Sequence, residues 1–419
     1  MKPPRISPLS IRIGTAIFIV SILGALLGWY VYLRQQQGAI QATTIESGLN
    51  APAPSFTGSS GSTPTNQAQA NTGAAFAGNA TSSAVLWEVD ASPVAGMGFV
   101  DTATEEYLYY VERGNGYVFS AHPSTQTSVR LTNTLLPKIY EAFFANDGSV
   151  IERSIDKNGN LTTFLGTVSA SSSVTTSATT TPLMQLSGVY LQTGIEHIAL
   201  NPVSKAIFYL APNKSGGVDG ITEQWSGTGK TTIFSSNIRS WLPYFLSDGT
   251  TILLESPADG MPGYAYSVSA SGALTPLVRN VNGLTILPKP SSSLLVYGSS
   301  SGNTLSLYGA TTSSATLLPV ATVADKCVWL PGKSEIVYCA VPNFTPANDF
   351  LDNWYKGLAD SSDDWWKIDL LTGTSVRIYS PSADNYSFDV ENPMIDPSGN
   401  YISFINAPDQ SLWVLRVTQ

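Results

Sequence analysis

The chain has 419 residues, a formal net charge of −9 and 12% charged residues, about half the usual share. The charge is unevenly placed: residues 1–34 carry +4, residues 35–83 carry −1 and the remainder carries −12. So acidic a C-terminal body argues against a nucleic-acid partner, because phosphate contacts need a basic face.

Residues 1–10 are short, polar and basic, as a cytoplasmic tail would be. Residues 11–33, IRIGTAIFIVSILGALLGWYVYL, contain an apolar run of about 21 residues after Arg12, long enough to cross a bilayer core as a helix. Trp29, Tyr30 and Tyr32 gather at one end, where an aromatic belt belongs, and Arg34 closes the run. A cleavable signal has a shorter apolar core and a small-residue cleavage site. Neither that site nor a lipobox cysteine follows here. The reading is an uncleaved transmembrane signal anchor, with the N-terminus inside and the rest outside the cytoplasm, because the positive charge is concentrated before the helix.

Residues 34–83 are rich in Gln, Ala, Ser, Thr, Gly and Pro, without periodicity. Such a segment buries too little apolar surface to offset its ordering entropy and reads as a disordered linker. Its length implies an r.m.s. reach of about 40 Å.

From residue 84 onward, short apolar runs alternate with turn residues. A recurring unit joins an apolar residue, a turn containing Asp, Asn, Pro or Gly, and an apolar strand. It appears as FVDTATEEYLYYV (99–111), FFANDGSVIERS (143–154), LNPVSKAIFYL (200–210), FLSDGTTILLES (245–256), LPKPSSSLLVYG (287–298), WLPGKSEIVYC (329–339) and IDPSGNYISFI (395–405). Successive units are spaced by about 44, 57, 45, 42, 42 and 66 residues, and four-stranded propeller blades repeat at about 40–50. The Ser/Thr run Thr167–Thr181 and an insertion at 342–364 account for the long gaps. The expected fold is therefore all-β, a seven-bladed β-propeller over 84–419, with six or eight blades or a pair of β-sandwiches as alternatives. The last unit shows three strands before the chain ends, while VLWEV (85–89) stands alone before the first. The first strand should thus close the ring as the outermost strand of the last blade, removing an exposed edge.

The units of the form DPSGNYISFI…SLWVL resemble the WD40-like repeat of TolB-type bacterial propellers. The anchor, the linker, DNWYKGLADSSDDWWKIDL and the ending FINAPDQSLWVL together resemble a group of bacterial membrane-anchored propellers. The resemblance implies a fold and no activity, since propellers host many unrelated functions.

The insertion carries the candidate binding residues Trp354, Tyr355, Asp360, Asp363, Asp364 and Trp365. Phe350, Trp354 and Leu358 share one stripe of a short helix, with Leu351 and Tyr355 beside them and Asn348 or Asp349 as cap. It reads as a lid or partner-binding knob on one mouth of the propeller, or as a plug packed on its own blade. The acids match no calcium-loop spacing. Asp156-Lys-Asn158-Gly-Asn160 reads as a hairpin turn, because the distal Glu of an EF-hand is missing.

Cys327 and Cys339 fall on the first two strands of one blade, where a hairpin near Gly332 would place them opposite each other for a disulfide. Two cysteines and two histidines cannot supply a zinc site. Neither His122 nor His197 sits in a nucleophile motif, so no catalytic, metal or cofactor site is expected.

The functional expectation is a membrane-tethered, extracytoplasmic binding or scaffold module for a protein, peptide or envelope glycan. The alternative is a hydrolase or lyase with its site in the central funnel. Three or more inward titratable groups with shifted pKa in one pocket would favour the enzyme, and an apolar or Ser/Thr-lined funnel would favour binding.

Overall fold

The computed structural model describes residues 85–101, 105–170, 184–311, 314–332 and 334–417. Every strand in it belongs to one of seven four-stranded antiparallel sheets. Six sheets are formed by strands consecutive in sequence, spanning 94–130, 139–190, 197–236, 241–282, 285–317 and 327–379. The seventh combines Val390–Ile395, Tyr401–Asn406 and Leu412–Arg416 with the first strand of the chain, Leu86–Asp90, in that spatial order. Apolar clusters join each sheet to the next, and Val390–Ile395 of the last sheet meets Val94–Asp101 of the first, so the sheets form a ring of seven blades. Within that ring the first strand of each blade is innermost. Blades 1 and 2 approach closely there: a Cβ at Gly96 would lie 2.0 Å from the Ala142 carbonyl oxygen.

The closure follows from strand count. Leu86 pairs with Leu415, Trp87 with Val414 and Glu88 with Trp413, so the N-terminal strand covers what would be an open sheet edge. Trp87 and Val89 pack into the seam between blades 7 and 1.

Seven apolar clusters fill the seven seams between blades. They form because successive side chains of a strand point to opposite faces. In Ile207–Pro212, Ile207, Tyr209 and Ala211 face blade 2, while Phe208 and Leu210 face blade 4. Each such side chain contributes about 1.5–3 kcal/mol on burial. Second strands therefore carry apolar side chains on both faces, as in Ile207–Pro212.

Residues 342–364 lie between the second and third strands of blade 6, where Pro342 and Asp363 end the ladder opposite each other. The strands are antiparallel, so this insertion emerges on the rim where the inner strands begin. Its helix is short, Phe350–Tyr355. Gly357 stops it: at φ 65° its N–H bonds to Trp354 O, and the N–H of Leu358 bonds to Asn353 O, the Schellman arrangement that glycine permits. The stripe expected to reach Leu358 ends earlier, and Leu358 is 74% exposed. Asp349 occupies the cap position in the left-handed region without a side-chain capping bond. Phe350, Leu351 and Trp354 pack on Leu305 and Val323, and Asp352 accepts from the Asp259 N–H of blade 4 (2.8 Å). The helix is thus a plug seated on blades 4 to 6.

Two smaller expectations hold in detail. Asp156–Asn160 is a hairpin turn, with Asp156 Oδ1 accepting from the N–H groups of Asn158 and Asn160. The strands flanking the Ser/Thr run pair directly, Val168 with Leu186, and 171–183 lie outside the described residues. The expected anchor at 11–33 and linker at 34–83 also lie outside them. Among the described residues no helix is long and apolar enough to cross a membrane.

Candidate functional site

Cys327 and Cys339 stand in register on the inner and second strands of blade 6, with Cα atoms 4.1 Å apart, and are joined by a disulfide. Just before Cys327, the turn Ala324–Lys326 sends two consecutive side chains to different places.

Lys326 enters the seam between blades 6 and 7 and is fully buried. Its Nζ donates to Asp363 Oδ2 (2.7 Å), Ser361 Oγ (2.8 Å), Val390 O (3.1 Å) and Asp389 Oδ1. Asp363 opens the third strand of blade 6 and Asp389 immediately precedes the inner strand of blade 7. The Trp354 indole N–H donates to both oxygens of Asp389 (3.0 and 3.1 Å), and its ring lies 4.9 Å from the ammonium. One cation thereby ties two blades and the plug together. Burial raises the Asp363 pKa despite the lysine beside it.

Asp325 turns toward the channel. There a cavity of about 450 Å³ is lined by the inner strands of blades 4 to 7, through Tyr244, Ile286, Cys327 and Glu391, and by Tyr355 of the plug. Tyr355 and Asp325 line it together, and Asp325 Oδ2 is buried without a partner among the described residues. Burial pushes the Asp325 pKa up to about 6. It also raises Glu391, aided by Asp389, and raises Tyr244 and Tyr355 well above the usual phenol range, aided by Asp325. All four groups therefore shift toward their neutral forms.

Of the residues singled out in the sequence, Trp354 and Tyr355 reach this cavity. Tyr355 is 40% exposed and lines the cavity. Asp360 is exposed on the rim. Asp363 is consumed by Lys326. Asp364 is buried and accepts from Arg377 (3.1 Å) and Ser380 (2.7 Å). Trp365 is fully buried against Phe404 in the seam to blade 7. The last three hold the blade together and do not line the cavity. Tyr244, Asp325 and Glu391, which do, carry no motif. Their only sequence signal is a polar or charged residue at the start of an inner-strand repeat, as in VADKCVWL. His122 and His197 do not line the cavity either.

No family model and no curated protein sequence matches the chain. Solved structures do align with it. YCF48 bound to D1 peptide matches with a TM-score of 0.51 and 10% identity over 80% of this chain and 96% of that one. YCF48 from Cyanidioschyzon merolae gives 0.50 and 12% over 80% and 99%. Oligogalacturonate lyase from Vibrio parahaemolyticus gives 0.49 and 11% over 81% and 93%. Identities this low speak for the fold alone: the chain is a WD40-like β-propeller.

Proposed function

We propose that this protein is a membrane-tethered, extracytoplasmic propeller that binds a peptide or a segment of a protein in its central channel. The observation that carries the reading is the cavity beneath the plug, about 450 Å³ and walled by Tyr244, Asp325, Tyr355 and Glu391. It offers aromatic faces and a few polar anchors, as recognition sites do. The YCF48 propeller with a bound D1 peptide supports a peptide as occupant. Membrane attachment rests on the apolar run at 11–33 and its flanking charge. The Cys327–Cys339 disulfide suits an oxidising compartment.

A second reading, a hydrolase or lyase, draws on one observation. Four titratable groups with shifted pKa share one cavity, which meets the criterion set from the sequence. Binding is nevertheless the better account. An acid–base pair needs two groups pushed apart, one protonated and one ionised, whereas here all shift the same way. No Lys or Arg lines the cavity to stabilise a developing negative charge.

Photo-crosslinking of the full chain in intact cells tests the proposal. A photoreactive phenylalanine analogue replaces either Met394, which lines the cavity, or Leu371, which is exposed and does not line it. Peptide or protein adducts from position 394 and not from 371 are expected. Adducts from both alike, or none from 394, overturn channel binding.

A further inference from the structure

We infer that the channel cavity recognises a primary ammonium group, carried by a lysine side chain of the bound peptide. This rests on the peptide-binding reading and specifies it.

The lining brings carboxylates from two walls, Asp325 on blade 6 and Glu391 on blade 7, together with the rings of Tyr244, Trp354 and Tyr355. A carboxylate beside aromatic faces is the environment that holds an organic cation, because the ring quadrupole adds to the charge attraction. Asp325 Oδ2 is buried and lacks a donor among the described residues. A buried acceptor left unbonded costs free energy that a ligand donor would recover. Residues 84–419 carry −12, so the surrounding field also draws in cations.

The protein contains a worked example of this chemistry next door. Lys326 Nζ sits 2.7 Å from Asp363 Oδ2, 2.8 Å from Ser361 Oγ and 4.9 Å from the centre of the Trp354 ring. The same tryptophan lines the cavity and meets Tyr355 edge-on at 5.2 Å. The seam and the channel are two sides of one aromatic wall. One side holds an internal ammonium, and the other presents a carboxylate and two phenols without one.

The geometry also selects among cations. Of the two Asp325 carboxylate oxygens, only Oδ2 is buried without a partner among the described residues, so the site offers one such acceptor instead of two. A guanidinium is held best by a two-oxygen fork, whereas an ammonium is a point charge that one oxygen serves. Among the described residues no group of three or more His, Cys, Asp or Glu could hold a metal ion, which favours an organic cation.

The test uses the full chain in detergent and three capped peptides, Ac-Ala-Lys-Ala-NH2 and its norleucine and arginine counterparts, titrated calorimetrically. The lysine peptide should bind at least tenfold more tightly than the norleucine peptide and more tightly than the arginine peptide. Asp325→Asn should remove at least tenfold of the lysine affinity and leave the norleucine peptide unchanged. Equal binding of lysine and norleucine peptides, absent binding of the lysine peptide, or a lysine affinity untouched by D325N overturns the inference. The wild-type comparison needs no variant, so it stands even where D325N fails to fold. The two readings fail separately: adducts from position 394 without a lysine preference would leave channel binding intact and remove the ammonium.

Discussion

Asp325 and Lys326 are neighbours in the chain with opposite surroundings. Lys326 is wholly buried and meets four acceptors on two blades. Asp325 faces a cavity and keeps an oxygen with no partner among the described residues. A satisfied buried charge specifies how elements meet, while an unsatisfied one at a cavity is available to a ligand. The inner rim of blade 6 thus separates the two roles by the direction in which successive side chains leave the backbone.

The hardest way to break this contrast is to remove the satisfied charge. Lys326→Met keeps the length of the stem and deletes the ammonium. Asp363 and Asp389 would then share a buried seam without a cation, and removing one partner of such a group costs about 3–5 kcal/mol. The midpoint of urea unfolding should fall accordingly, and the seam between blades 6 and 7 should lose protection from hydrogen exchange first. A midpoint within error of wild type would show that the cluster does not hold the blades.

A second buried acid sharpens the comparison, because it has neither cation nor cavity. Glu152, on the second strand of blade 2, is 1% exposed, and both its carboxylate oxygens lack partners among the described residues. Burial alone pushes its pKa up to about 8. Its folded-state pKa lies above the unfolded value, so the unfolded chain releases the proton first. Stability is greatest below pH 4.5 and falls as pH rises from there to about 8, where the loss levels off. Between pH 5 and 8 the decline from this group is on the order of 3 kcal/mol. Glu152→Gln should flatten the pH profile of thermal unfolding over that window. A variant as steep as wild type would place the source of the pH dependence elsewhere.

These contrasts explain what could be read from the chain and what could not. The blades were legible because each second strand holds an apolar run and each preceding turn carries Asp, Asn, Pro or Gly, a local pattern repeated at about 42–45 residues except where insertions lengthen it. Closure was legible from one unpaired strand, VLWEV, and one blade lacking a strand. The plug helix was legible in kind but not in length, because Gly357 turns the chain while the apolar spacing continues to Leu358. The acids of the insertion were visible as a group, and strand alternation then carried Asp363 and Asp364 into the blade. The cavity was not legible. Tyr244, Asp325 and Glu391 come from three blades, and the Lys326–Asp389 contact spans 63 residues. Only ring closure brings them together.

The smallest expected effect tests whether the two sides of the aromatic wall communicate. Trp354→Phe keeps an aromatic ring over Lys326 and removes the N–H that bonds to Asp389. Asp389 still accepts from Lys326 and Ser361, so the loss should be about 1.5–3 kcal/mol, that of one hydrogen bond to a charged acceptor. If the indole acts through that carboxylate, its effect should depend on Lys326, and the W354F/K326M pair should show a coupling of at least about 0.5 kcal/mol. The same change frees the plug residue that meets Tyr355 edge-on, and Tyr355 lines the cavity with Asp325. The lysine peptide should therefore bind W354F a few-fold more weakly, while the norleucine peptide is unaffected. Additive unfolding energies with unchanged peptide affinity would mean that the seam and the channel are independent sites that happen to share a wall.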